Sequence, residues 1–251
     1  MKKTLLVAAI ALGFGSGTAY AAGSCPAFPA PTIKFEALPG TPERDTSKTA
    51  KEISAAAGDS SDKWRYESYN SEVTGTMSRK VAMQQLPGGA GMCGGLAEVT
   101  IKLGFKRQIA VAKEAADNGC VADAFASQAE PVIKNEDATL AAFGASLATT
   151  YKADIAAIGT IQGADQDAVQ GPIRDKLSAL FNDKVYPAFE KQVTEGRKSI
   201  DLKDWKPADC NGDTKKVVAS LSGTPAKNAD TNSNTNVAPQ QPRQPTYSGG
   251  R

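Results

Sequence analysis

Apolar and polar positions alternate with period two through the first half of the chain and recur every three to four residues after Gly119. These are the signatures of half-buried strands and of amphipathic helices. Thr32 to Ala37 alternates and predicts a first strand. Asp45 or Thr46 can cap a short helix that runs to Ala57 and stops at Gly58. Lys63 to Tyr69 and Arg79 to Gln84 are the next strand candidates, and Pro87-Gly88-Gly89-Ala90-Gly91 forces a loop. The strongest alternation is Leu96 to Phe105, with Ala97, Val99, Ile101, Leu103 and Phe105 toward the core. Arg107 to Lys113 reads as a further strand, and Gly104 to Arg107 predicts the hairpin between the two.

After Gly119 a single stripe runs through Val121, Phe125, Ala129, Val132, Glu136, Leu140, Phe143, Leu147, Tyr151, Ile155 and Ile158. One unbroken helix over Val121 to Ile161 would be about 60 Å long, against a radius of gyration of about 16 Å for a body of this size. Pro131 or Gly144 is therefore expected to kink or split it. Gln162 to Gln170 is a polar connection. Pro172 suits a first helical turn. Ile173, Leu177, Leu180, Phe181, Val185, Phe189, Val193 and Ile200 then form a second stripe, with a kink expected at Pro187. The fold class that follows is α+β: a small antiparallel sheet, then two long antiparallel helices, over residues 32–210. Residues 211–251, rich in Asn, Thr, Ser, Pro and Gln, are expected to be a disordered tail.

The N-terminus reads as a secretory signal over residues 1–21. Lys2 and Lys3 precede the apolar run Leu5 to Leu12, and Ala19-Tyr20-Ala21 fits the cleavage pattern. Residues 22–31 form an extended lead-in. The mature chain is then expected to be periplasmic or secreted, and no other stretch qualifies as a membrane span. Acylation of Cys25 is the alternative processing route. Removing Lys2 and Lys3 from 29 basic residues leaves 27 against 27 acidic ones, so the mature chain is formally neutral. That argues against a nucleic-acid partner recruited by net charge.

The four cysteines, Cys25, Cys93, Cys120 and Cys210, are an even set in an exported chain and predict two disulfides among three possible connectivities. Cys93–Cys120 with Cys25–Cys210 is the expected pairing: one bridge ties a strand start to a helix start, the other clasps the ends of the domain. No Cys-x-x-Cys is present, which excludes a zinc ribbon or thioredoxin-type motif. No histidine is present either. This removes Ser-His-Asp and Cys-His catalysis and His-Glu-x-x-His metallopeptidase chemistry from the chain's own residues.

Cys93, the strand Leu96 to Phe105, Ile109-Ala110-Val111-Ala112-Lys113-Glu114, Asn118-Gly119-Cys120 opening a helix, and Asp201 to Cys210 closing the domain occur in a recognisable order. In this the chain resembles a group of secreted bacterial proteins of unknown function described as zinc-dependent peptidases. The resemblance implies a zinc motif about two turns into the helix after Cys120. Gln128 and Val132 have the spacing of the paired histidines there, with Ala129 in place of the glutamate. A shift by one aligns Glu130 but leaves Ala129 and Ile133 as ligands. Neither register holds a metal, so the resemblance implies a scaffold without its zinc chemistry, and neither a catalytic residue nor a cofactor is expected.

Glu136 interrupts the apolar stripe. It reads either as a residual site group together with Glu130, or as a carboxylate turned to solvent at the Pro131 kink or paired with a lysine; the second reading is the simpler. The glycine-rich loop 88–95 lacks a P-loop ending, and Asp165 and Asp167 lack the rest of an EF-hand. Trp64, Tyr66, Tyr69 and Trp205 read as core aromatics. The expected function is that of an exported, non-enzymatic module binding a protein or cell-envelope component. The alternatives are a hydrolase using Glu130 and Glu136, and an envelope assembly protein anchored by its tail.

Overall fold

The computed structural model describes residues 25–58, 65–202 and 205–222. The expected signal, the Trp64 position and the tail beyond residue 222 lie outside them. In chain order come β1 (Thr32–Leu38), β2 (Glu43–Asp45), α1 (Ala50–Ala56), β3 (Glu67–Gln85), β4 (Met92–Val111), α2 (Lys113–Ala116), α3 (Gly119–Ala126), α4 (Glu130–Thr150), α5 (Lys152–Ala156), β5 (Ile161–Gly163), α6 (Gln166–Leu180), α7 (Tyr186–Lys198) and α8 (Asp213–Ser222). The α+β class and the long helices are as expected. The first helix is capped by Thr49 rather than Asp45 or Thr46, because Glu52 sits three residues on and completes a reciprocal capping box.

The sheet is mixed rather than antiparallel throughout. β4 is its centre. β3 runs antiparallel along its whole length, from Glu67 opposite Val111 to Gln85 opposite Met92. The other edge of β4 takes β5 antiparallel at Met92 to Gly94, then β1 parallel at Glu98 to Gly104, then β2 parallel at Gln108 to Ala110. No hairpin forms at Gly104 to Arg107. Gly104 serves a different purpose: it lets Leu38 of β1 approach, since a Cβ there would collide with the Leu38 carbonyl oxygen.

One irregularity resets the alternation. Lys80 pairs with Glu98 and Val81 with Leu96, so Ala97 is left over as a bulge. Ala97 is exposed, contrary to its expected core position, whereas Leu96 is buried. Beyond the bulge Val99, Ile101, Leu103 and Phe105 all face inward. The outward face is polar and laced by Lys34–Glu98–Lys80 and Lys102–Glu36 ion pairs.

The helices cover the inward face. Pro131 starts α4 after a 3-10 turn at Ser127–Ala129, so the long stripe splits there. Gly144 does not kink; it stays helical with the Phe35 ring packed where a side chain would begin. α4 and α7 run antiparallel: Glu136 meets Arg197, Phe143 meets Phe189 at 5.2 Å, and Tyr151 reaches the Lys184 carbonyl. Pro187 lacks the N–H that a regular helix needs, and the turn before it widens into a π-helix at Phe181–Val185. Pro172 lies inside α6 rather than in its first turn, because the Asp165 carboxylate caps the helix earlier through the Ala168 N–H at 2.8 Å. Phe181, Phe189, Leu140, Leu147, Ile173 and Leu177 are fully buried, each contributing about 1.5–3 kcal/mol of transfer free energy.

The disulfides are Cys25–Cys93 and Cys120–Cys210, with Cα separations of 5.6 and 5.8 Å. The expected pairing is overturned by the length of β4. Cys93 begins that 20-residue strand and Cys120 lies beyond its far end, about 60 Å away at the rise of an extended chain. A disulfide spans less than about 7 Å between Cα atoms. The Cys25 sulfur is held in its bridge and is not free for acylation. Cys210 leads into α8, whose Val217 and Val218 pack with Trp205, Tyr66 and Phe125 on α3. The stretch after residue 210 thus begins as a helix through Ser222 rather than as a disordered tail.

Candidate functional site

Three charged residues occupy positions in phase with core stripes. Arg107 continues the inward series Val99 to Phe105 on β4. Glu136 lies between Val132 and Leu140 on α4. Arg197 follows Phe189 and Val193 at four-residue spacing on α7. The fold brings them together. Glu136 is fully buried and Arg107 is 2% exposed. One oxygen of Glu136, Oε2, accepts from the Tyr69 hydroxyl at 2.7 Å, the Arg107 Nε at 3.0 Å and the Ser71 hydroxyl at 3.2 Å. The other, Oε1, accepts from the Arg197 Nε at 2.8 Å and its terminal nitrogen at 2.7 Å.

The two arginines are themselves satisfied. Arg107 donates to Asp137 at 2.7 Å and to the Gly40 carbonyl at 3.2 Å, and lies over the Phe105 ring at 4.6 Å. Arg197 also donates to the Ser71 carbonyl at 3.1 Å. Burial disfavours the Arg107 charge, but Asp137, Tyr69 and Glu136 outweigh it and its pKa is raised. Burial, together with the Glu136 carboxylate, holds the Tyr69 phenol above its usual value. The network therefore joins β3, β4, α4 and α7 through charge-assisted hydrogen bonds, and every lone pair of Glu136 is engaged. It can fix these elements in register; it offers no free oxygen to a substrate.

The alternative grouping of Glu136 with Glu130 as a residual site finds no direct contact between them. Glu130 is exposed at the start of α4 and faces Lys134 at 3.6 Å. Glu136 is neither solvated nor paired with a lysine; two arginines and a tyrosine hold it instead. Gln128 lies in the 3-10 turn and Val132 in α4, so the two are not on one regular α-helix. Among the described residues no group of three or more His, Cys, Asp or Glu side chains converges as a metal would require. Tyr66 stacks on Phe125 at 5.1 Å, and Asp165 is a helix cap. A shallow depression of about 250 Å³ is lined by Asp154, Ile158, Lys176, Asp183 and Lys184; Lys184 pairs with Asp154 at 2.7 Å and Lys176 donates to the Ile158 carbonyl.

The alternation and the helical stripe carried the signal for Arg107 and Arg197: each is a charge exactly where the period demands an apolar residue. Tyr69 and Ser71 carried none, because a polar residue on a strand with one wet face is unremarkable.

A second buried carboxylate lies apart from this network. Glu67, at the start of β3, is 9% exposed, and its Oε1 has no hydrogen-bond partner among the described residues. Burial pushes its pKa up to about 8, opposed only in part by the Arg65 charge. The folded protein therefore keeps this proton to higher pH than the unfolded chain, whose glutamate titrates near 4.5. The stability due to the protonated form is complete below that lower pH and is lost as pH rises toward 8. Glu67→Gln should flatten this decline. Thermal melts at both ends of the window check it: a wild-type slope that survives in the variant would assign the pH dependence to other groups.

Compared with known proteins, the chain matches no family model, no curated protein and no solved structure.

Proposed function

We propose that this chain is an exported, non-enzymatic interaction protein built on a zinc-peptidase-like scaffold that has lost its metal chemistry. The observation that carries the reading is the saturation of Glu136. The carboxylate placed deepest on the long helix, where a hydrolase would need a free base, has both oxygens engaged by five donor groups and no exposure. A general base must come within hydrogen-bond reach of the proton it takes from the substrate, and Glu136 is fully buried with its oxygens already engaged. The two disulfides and the signal-like N-terminus support an extracytoplasmic location. A protein or envelope component is the partner class, since the mature chain is neutral and carries no net-charge drive toward nucleic acid. The hydrolase alternative loses its support with the separation of Glu130 from Glu136.

Incubation of the oxidised protein, residues 22–251, with casein and a quenched peptide library tests this. Hydrolysis no greater than buffer, unchanged by zinc or chelator, is expected. Turnover abolished by chelator and by Glu136→Gln would overturn the reading.

A further inference from the structure

Beside the buried network is a corner that the clamp does not explain. Asn135 and Thr139 flank Glu136 at the positions one before and three after it. They are four residues apart on α4 and so lie on one face, one above the other. Both point at Gly196 of α7: a side chain there would begin 2.5 Å from Asn135 Oδ1 and 3.3 Å from Thr139 Oγ1. Asn135 Oδ1 is buried and has no hydrogen-bond partner among the described residues, an arrangement that costs about 1–3 kcal/mol. Two oxygen side chains one turn apart, one of them unsatisfied, thus converge on a glycine that leaves room, directly before the arginine that grips Glu136.

A ligand–glutamate–x–x–ligand spacing on a helix is the geometry of a His-Glu-x-x-His zinc site, in which paired imidazoles share one face and the glutamate acts as base. The residues present do not fit the metal. A carboxamide and a hydroxyl are neutral, hard oxygen donors that bind zinc poorly, the glutamate has no free oxygen, and the Arg197 guanidinium brings positive charge to the spot. We infer that Asn135, Glu136 and Thr139 stand at the ligand, base and ligand positions of a zinc signature whose imidazoles have been substituted, and that Arg197 supplies the positive charge a metal would bring. The inference rests on the peptidase-like reading above and moves the substituted site seven residues along from where sequence spacing placed it: Gln128 and Val132 give way to Asn135 and Thr139.

The test reinstalls the imidazoles in the full mature chain. N135H/T139H is compared with E130H/K134H, which has the same spacing on the exposed start of the helix. Each pair is made with and without Arg197→Gln, and zinc affinity is read by competition with a chromophoric chelator. R197Q is expected to tighten zinc binding by N135H/T139H on the order of tenfold and to leave E130H/K134H unchanged. Equal effects on both pairs, or none on either, would overturn the placement. If R197Q does not fold, the two pairs are compared with Arg197 in place: N135H/T139H should bind zinc at least about tenfold more weakly than E130H/K134H, and equal affinities remove the inference. Failure here leaves the non-enzymatic reading standing, whereas chelator-sensitive turnover by the unmodified protein removes that reading itself.

Discussion

Glu136→Ala is expected to destabilise the protein by about 3–5 kcal/mol, the range for breaking a buried ion pair by removing one partner. The cost comes less from lost attraction than from what remains. Arg107, at 2% exposure, loses its Nε acceptor, Arg197 loses the acceptor of two nitrogens, and the Tyr69 and Ser71 hydroxyls lose theirs. Glu130→Ala, on the same helix but exposed, should change stability by no more than about 0.5 kcal/mol. Urea unfolding of the oxidised proteins measures both. Combining Glu136→Ala with Arg197→Ala should cost clearly less than the two single changes summed, because the second removes a charge that the first has stranded. Similar losses for Glu130→Ala and Glu136→Ala would mean that the network is not the clamp its geometry describes.

The second large effect is that of the disulfides. Cys120 and Cys210 close a loop of 90 residues, and Cys25 and Cys93 one of 68. In the chain-entropy model each bridge stabilises the folded state by about 4–5 kcal/mol. Loss of the Cys120–Cys210 bridge should also detach α8 from α3, because it fixes the turn from which α8 starts. C120S/C210S is therefore expected to expose Trp205 to quenchers at temperatures where C25S/C93S does not. Tryptic mapping without reduction provides the direct check, since the four cysteines fall in four different peptides. Linkage of the Cys93 peptide to the Cys120 peptide would contradict the fold itself, because β4 would then have to turn back on itself.

That dependence explains where the sequence was readable and where it was not. The periods were sound: every member of the first helical stripe except Val132 is buried, and the break at Pro131 and the irregularity before Pro187 are in place. The partners of the strands were not readable. Lys106 and Arg107 after Gly104 have the composition of a turn, yet Arg107 keeps step with Val99 through Phe105. It stays inside because a carboxylate 29 residues later neutralises it. Without that long-range pair the sequence predicts a hairpin, where the structure has one continuous strand. The parallel course of β1 beside β4 was equally hidden, since alternation fixes a strand's faces but not its neighbour or direction. Glu136, Arg107 and Arg197 each stand out as a charge in phase with an apolar series, but that the three meet follows only from the packing of β4, α4 and α7.

Two arginines, in the proposed reading, hold this scaffold together around Glu136 in place of a metal. Elemental mass spectrometry of the tagless mature protein, expressed with zinc in the medium and purified without chelator, is the test. Zinc well below one equivalent per chain is expected, with a thermal midpoint that does not move when zinc is added. One tightly held zinc per chain, with a midpoint that falls on chelation, would contradict it.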